Sequence, residues 1–129
     1  MFTVEQIENA HGKVQSGSDF PSYIREIKEL GVQSFETRVK DCCTEYFGAH
    51  GFRAKSGAKY RDLPIRNTTD ENAFREYLKS HQRGETDYKT FCVHCAETGI
   101  EKWVVDLDHF SCTYYDGSGK EVLKEEIPH

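Results

Sequence analysis

Residues 31–39, Gly31-Val32-Gln33-Ser34-Phe35-Glu36-Thr37-Arg38-Val39, decide the fold. Before Gly31, Tyr23, Ile24, Ile27 and Leu30 form one apolar stripe at helical spacing. After it the pattern becomes that of a half-buried strand, through Val32, Phe35 and the Thr37/Val39 pair. Gly31 sits at the switch, where a helix end favours left-handed backbone. The same switch recurs at Gly99-Ile100-Glu101-Lys102-Trp103-Val104-Val105-Asp106-Leu107. The two stretches belong to a longer correspondence: residues 19–51 fall on residues 87–119 at a constant offset of 68, without gaps. Asp19 meets Asp87, Phe35 meets Trp103, Tyr46 meets Tyr114 and Gly51 meets Gly119. Five of the 33 positions are identical, and the matches fall at caps, turns and apolar positions. This pattern predicts a single domain built from two similar halves, about 1–67 and 68–129.

Each half reads as helix, helix, then strands. Thr3 with Gln6 forms a capping box for a first helix carrying Val4, Ile7, His11 and Val14. Asp19 is the expected cap of the second helix, with Pro21 in its first turn. A strand follows Gly31, a turn falls near Asp41-Cys42-Cys43, and a second strand covers Thr44 to Phe47. The stretch from Phe52 to Ile65 has room for a third strand. In the second half, Thr68-x-x-Glu71 is a second capping box ahead of Phe74, Tyr77, Leu78 and His81, with Gly84 ending that helix. Asp87 caps a helix carrying Tyr88, Phe91, Cys92 and Cys95, and Gly99 ends it. Strands are predicted at Ile100–Leu107, Phe110–Tyr115 and about Glu121–Ile127, with Asp116-Gly117-Ser118-Gly119 as a hairpin turn. The expected fold is α+β, four helices covering one face of a mostly antiparallel sheet.

The length of 129 residues suits one domain. Apolar runs stop at three residues, as in Trp103-Val104-Val105, far short of the ~20 needed for a membrane span. Aromatic residues at 12% oppose disorder despite a mean hydropathy of −0.74. Seventeen Lys and Arg against 22 Asp and Glu leave a net charge of −5, which opposes a dedicated nucleic-acid binder. The N-terminal residues show neither the basic region nor the apolar stretch of a signal peptide, and the five cysteines are an odd number. Both features predict a cytoplasmic protein with reduced thiols.

Several side-chain groups compete as sites. Cys92-Val93-His94-Cys95, with His109 and Cys112, has the residue types of a zinc site. Against this, Cys92 and Cys95 fall at the positions of Ile24 and Ile27 in the first half, which favours buried, structural thiols. Cys42-Cys43 in a turn is either a reactive vicinal pair or two tolerated thiols; strain opposes a bridge between neighbours. Asp106, Asp108 and His109 form a candidate acid/base cluster, or simply end a strand. His11 and His81 lie on apolar helix faces as expected core histidines. No Gly-x-Ser-x-Gly, His-Glu-x-x-His or phosphate-loop pattern is present, and no cofactor is implied.

Residues 52–67 stand apart in charge. Arg53, Lys55, Lys59, Arg61 and Arg66 against Asp62 give this segment +4, leaving −9 for the rest of the chain. With Phe52 and Tyr60 it is a candidate contact for a phosphate, an acidic protein or a nucleic-acid backbone. The bland counterpart is pairing with the acidic segment Lys120 to Ile127 within the sheet or across a dimer.

Gly31–Val39 with Thr44-Glu45-Tyr46-Phe47-Gly48, and Gly99–Leu107 with Cys112-Thr113-Tyr114-Tyr115-Asp116, carry a family resemblance. The chain resembles the YbcV/YdfO-like family of small uncharacterised bacterial proteins, often prophage-carried and sometimes labelled phage envelope protein. The resemblance covers essentially the whole chain and implies an accessory protein with no catalytic residues to carry over. Where the resemblance implies a Gly- or His-bearing turn, this chain has Cys42-Cys43.

The leading expectation is a non-enzymatic binding or regulatory protein. Its partner would be a protein or, less readily, a nucleic acid, met through Arg53, Lys55, Lys59, Tyr60 and Arg61. One alternative is a zinc- or thiol-dependent protein using Cys92, Cys95, His109 and Cys112. Another is a small-ligand module with a pocket between the halves lined by Phe35, Tyr46, Trp103 and Tyr114; plain core is the competing reading of those rings. Open strand edges leave room for a homodimer, and no membrane partner is expected.

Overall fold

The computed structural model describes residues 2–58 and 62–128. The order is α1 (Val4–His11), α2 (Phe20–Leu30), β1 (Val32–Arg38), β2 (Cys43–Gly48), a 3-10 turn (Ala49–Gly51), β3 (Arg53–Lys55), α3 (Glu71–Gln82), α4 (Tyr88–Glu97), β4 (Ile100–Asp106), β5 (Ser111–Asp116) and β6 (Glu121–Glu126). The six strands form one antiparallel sheet in the order β3-β2-β1-β4-β5-β6. The fold is α+β, as the alternation of patterns predicts. No helix among the described residues is long and apolar enough to cross a membrane.

Local chemistry accounts for most element ends. The Thr3 hydroxyl accepts from the Gln6 amide at 3.1 Å while the Gln6 side chain accepts from the Thr3 amide at 2.9 Å, a complete capping box. Asp87 accepts from the Thr90 amide at 2.7 Å. Two expected caps differ. Asp19 makes no cap bond to α2; its carboxylate accepts instead from the Gln15 amide at 3.0 Å, tying down the preceding loop. The cap of α3 is Asp70, accepting from the Ala73 amide at 3.1 Å, rather than Thr68. The chain is still paired to the end of α4 there, with the Asp70 amide donating to the Thr98 carbonyl at 3.0 Å, so the helix starts later. The third strand of the first half is only the three residues of β3.

Cross-strand register recurs at the 68-residue spacing. Phe35 pairs with Tyr46 and Trp103 with Tyr114; Thr37 pairs with Thr44 and Val105 with Cys112. Both hairpins shift register at matching places, Val32/Ser34 and Ile100/Lys102. Their turns place Cys42 at φ 57° and Phe110 at φ 50°, again 68 residues apart. In the central pair, Glu36 lies opposite Val104, Phe35 opposite Val105 and Thr37 opposite Trp103. The residues facing each other at the centre of the sheet, Glu36 and Val104, are themselves 68 positions apart.

The helices cover one face of the sheet. That face carries Phe35, Thr37, Thr44, Tyr46, Trp103, Val105, Cys112 and Tyr114, all buried. The other face carries Glu36, Glu45, Lys102, Val104 and Tyr115 and is laced by charge, with Lys102 and Glu36 at 3.0 Å. The edges of the sheet are β3 and β6.

Candidate functional site

Between the pairs α1/α2 and α3/α4 the helix layer parts above the centre of the sheet. The gap is a cavity of about 930 Å³. Its floor is the aromatic row Phe35, Tyr46, Trp103 and Tyr114, each only 6–7% exposed, with Thr37, Thr44 and Cys112 between them. Its walls are His11, Phe20 and Tyr23 on one side and Leu78, His81, Tyr88 and Phe91 on the other. His11 spans the junction, its ring 5.3 Å from both Tyr23 and Tyr88. At one end the loops between the helices meet, the Gly17 amide donating to the Gln82 carbonyl. A side chain on Gly17 would strike that carbonyl, so glycine is what lets the loops close.

The cavity's polar groups are mostly neutral. Burial pushes the Tyr46 phenol up to about 12, against a hydrogen bond with Thr44 that acts downward. Burial also raises Tyr23 and Tyr114, with the charges of Glu26 and Glu125 respectively adding to the effect. These phenols remain protonated donors at neutral pH. The Thr37 and Thr44 hydroxyls bond each other at 2.7 Å, which removes them as orphaned buried groups. Burial pushes the Cys112 thiol up to about 12, so it is a thiol rather than a nucleophilic thiolate.

His81 stacks on Phe91 at 4.4 Å, with Nδ1 3.1 Å from the Thr86 carbonyl. Burial holds its pKa below the ordinary value, and the contact with Thr86 only partly opposes this. The unfolded chain therefore takes up this proton first. Stability is retained above about pH 6.5 and lost as pH falls from there through the lower folded value. The urea midpoint should drop between about pH 7.5 and pH 5, and the drop should shrink in His81→Gln. An unchanged pH slope in that variant would exclude His81 as the source.

The sequence candidates fare differently. Cys92, Cys95 and Cys112 are buried, but His109 lies on the exposed β4–β5 turn, its Nδ1 2.8 Å from an Asp106 carboxylate oxygen. Cys42, not His109, approaches Cys92. Among the described residues no group of His, Cys, Asp or Glu is arranged to hold a metal ion. Burial raises Cys95, and a hydrogen bond with Cys42 together with burial raises Cys92, as expected of structural thiols. Cys42 and Cys43 are both buried rather than an exposed pair. Asp106 accepts from the Asp108 and His109 amides at 2.9 and 3.1 Å, which makes it a turn-forming residue. Arg53 and Lys55 lie exposed on β3, opposite Phe47 and Glu45 of β2, with Arg53 3.6 Å from the Glu45 carboxylate. Lys59, Tyr60 and Arg61 lie outside the described residues.

Sequence reasoning named the floor of the cavity but missed its walls. Phe20, Tyr23, Tyr88 and Phe91 read as ordinary core stripes, because helical spacing does not reveal whether two helix pairs touch or stand apart. A profile of 119 consecutive residues, 8–126, matches a family model described as proteins of unknown function, DUF1398. The chain belongs to the DUF1398 family. The matched span takes in every cavity-lining ring, so this DUF1398 domain contains the complete aromatic site. No curated protein matches the chain.

Proposed function

We propose that this DUF1398 protein is a non-enzymatic binder of a small organic molecule, held in the cavity between two similar halves of one domain. The observation that carries the reading is the cavity itself. Protein interiors pack as densely as organic crystals and tolerate few voids larger than a water molecule. A space of about 930 Å³ bounded by aromatic rings lies instead in the range of ligand pockets, roughly 300–1,000 Å³. Aromatic walls with a few fixed phenols are the usual division of labour in such a site: rings bury the ligand, hydroxyls orient it. The recurrence of register and turn geometry at 68 residues supports the two-half reading. A stoichiometric binder also suits the accessory, prophage-type role that the YbcV/YdfO resemblance implies. We rank this reading above macromolecular contact through Arg53, Lys55, Lys59, Tyr60 and Arg61, of which Arg53 already meets the Glu45 carboxylate at 3.6 Å.

Trp103 is the single tryptophan and lies on the cavity floor, so binding has a built-in reporter. The uncharged dye N-phenyl-1-naphthylamine should bind saturably at one per chain, quenching Trp103 as its own emission rises. Val14→Phe, at a half-buried lining position, should weaken binding about tenfold by narrowing the space. Absence of saturable binding to the wild-type protein, or undiminished binding to Val14→Phe, would refute the cavity reading.

A further inference from the structure

The charge around the cavity is one-sided. Glu8 from α1, Glu85 and Asp87 from the α3–α4 loop, and Glu125 and Glu126 from β6 all line it. No described Lys or Arg does. Of these carboxylates, Glu85 is paired with Arg83 at 3.0 Å. Among the described residues the Glu125 carboxylate accepts from a neutral donor, the Gln82 amide nitrogen, at 2.9 Å, and no described Lys or Arg pairs with it. Glu8 and Glu125 address opposite ends of the aromatic row, Glu8 acting on Tyr46 and Glu125 on Tyr114 and Cys112. Tyr46 and Tyr114 are the two tyrosines 68 residues apart, so each half presents a phenol with a carboxylate near it.

From this combination we propose that the ligand is a hydrophobic organic cation, such as a quaternary ammonium, a phosphonium or an amine bearing aromatic groups. The inference rests on the cavity reading and adds the sign of the ligand's charge. The physics is direct. A ring face carries the negative end of its quadrupole, and attraction to a cation grows as water is excluded. The rings of Phe35, Tyr46, Trp103 and Tyr114 are only 6–7% exposed, and a ligand seated on them displaces the water of the cavity. Moving an organic cation there costs little hydration, because its charge is spread over apolar groups, and the Glu8 and Glu125 carboxylates compensate the remainder. An anion of the same shape meets the same rings and carboxylates with every charge interaction reversed. The phenols offset this only in part, since each is a neutral donor while each rim carboxylate carries a full negative charge.

Tetraphenylphosphonium and tetraphenylborate separate size from charge, being nearly isosteric ions of opposite sign. In sodium buffer, quenching of Trp103 should show the phosphonium binding at least about tenfold more tightly than the borate. The double variant Glu8→Gln/Glu125→Gln keeps side-chain size and should reduce that preference to within about threefold, with circular dichroism unchanged. If the borate binds as tightly as the phosphonium while N-phenyl-1-naphthylamine still binds, the cation assignment is overturned and the cavity reading stands. A preference that survives in the double variant overturns the assignment of the charge preference to Glu8 and Glu125. If the phosphonium and the neutral dye both fail to bind, the cavity reading falls and the cation assignment with it.

Discussion

Phe74→Ala should lower the stability of the domain by about 3–5 kcal/mol, the largest loss expected from any single side-chain truncation here. Phe74 is fully buried on α3, its ring 4.9 Å from Tyr114 and 6.4 Å from Phe91. It is therefore the ring that joins α3 to α4 and to the sheet at once. Removing it leaves a cavity that α3 cannot fill by sliding, because its N-terminus is held by the Asp70 cap and by the Asp70–Thr98 backbone bond. The loss is large against a total stability of about 5–15 kcal/mol for an ordinary domain. Tyr114 should also lose its backing, so ligand affinity should fall together with stability. Urea denaturation followed by far-UV circular dichroism measures the first effect and dye titration the second. A loss under about 1 kcal/mol would mean that α3 is anchored by something other than this ring.

The same residue shows which parts of the structure were legible. The stripe Phe74, Tyr77, Leu78 and His81 announces a helix with one buried face, and Asp87, Gly31 and Gly99 announce where helices start and stop, because capping and left-handed backbone are local chemistry. Strands β1, β2, β4 and β5 were legible for a similar reason: a sheet covered on one face imposes alternation on its own sequence. The caps at Asp19 and Thr68 misled for different reasons: Asp19 turns back to the Gln15 amide four residues earlier, a local alternative to capping, while the start of α3 is set by a bond to the distant Thr98 backbone. The floor of the cavity was legible as four rings at corresponding places. Its existence was not, since a ring on a core face looks the same whether it meets another ring or an empty space. The carboxylates that set the sign of the charge were hidden for a further reason. Glu8 and Glu125 lie 117 positions apart in the chain and are brought to one rim only by the packing of α1 and β6 around the same opening.

A matched pair of glycine variants tests how much of the second half depends on its join to the 66–70 segment. Gly31→Ala and Gly99→Ala change equivalent residues, both at positive φ, 111° and 85°. Each variant takes on the cost of a left-handed alanine, about 1–2 kcal/mol. There the equivalence ends. Among the described residues a Cβ on Gly31 finds only the Phe2 ring, at 3.7 Å, an ordinary contact. A Cβ on Gly99 collides with the Thr68 carbonyl and comes within 3.0 Å of the Thr69 Cα. That backbone cannot drift away cheaply, because the Arg66 amide donates to the Ala96 carbonyl at 2.9 Å and the Asp70 amide to the Thr98 carbonyl at 3.0 Å, one bond on each side of the collision. Relief requires breaking one of them and with it the approach to the α3 cap. Gly99→Ala should therefore cost about 3 kcal/mol or more, roughly twice the loss in Gly31→Ala. Thermal denaturation of the two variants side by side decides it. Equal losses would mean that the 66–70 segment yields to the new methyl group. A selective collapse of Gly99→Ala would show that this segment is a fixed strap, holding α3 against α4 and so fixing one wall of the cavity.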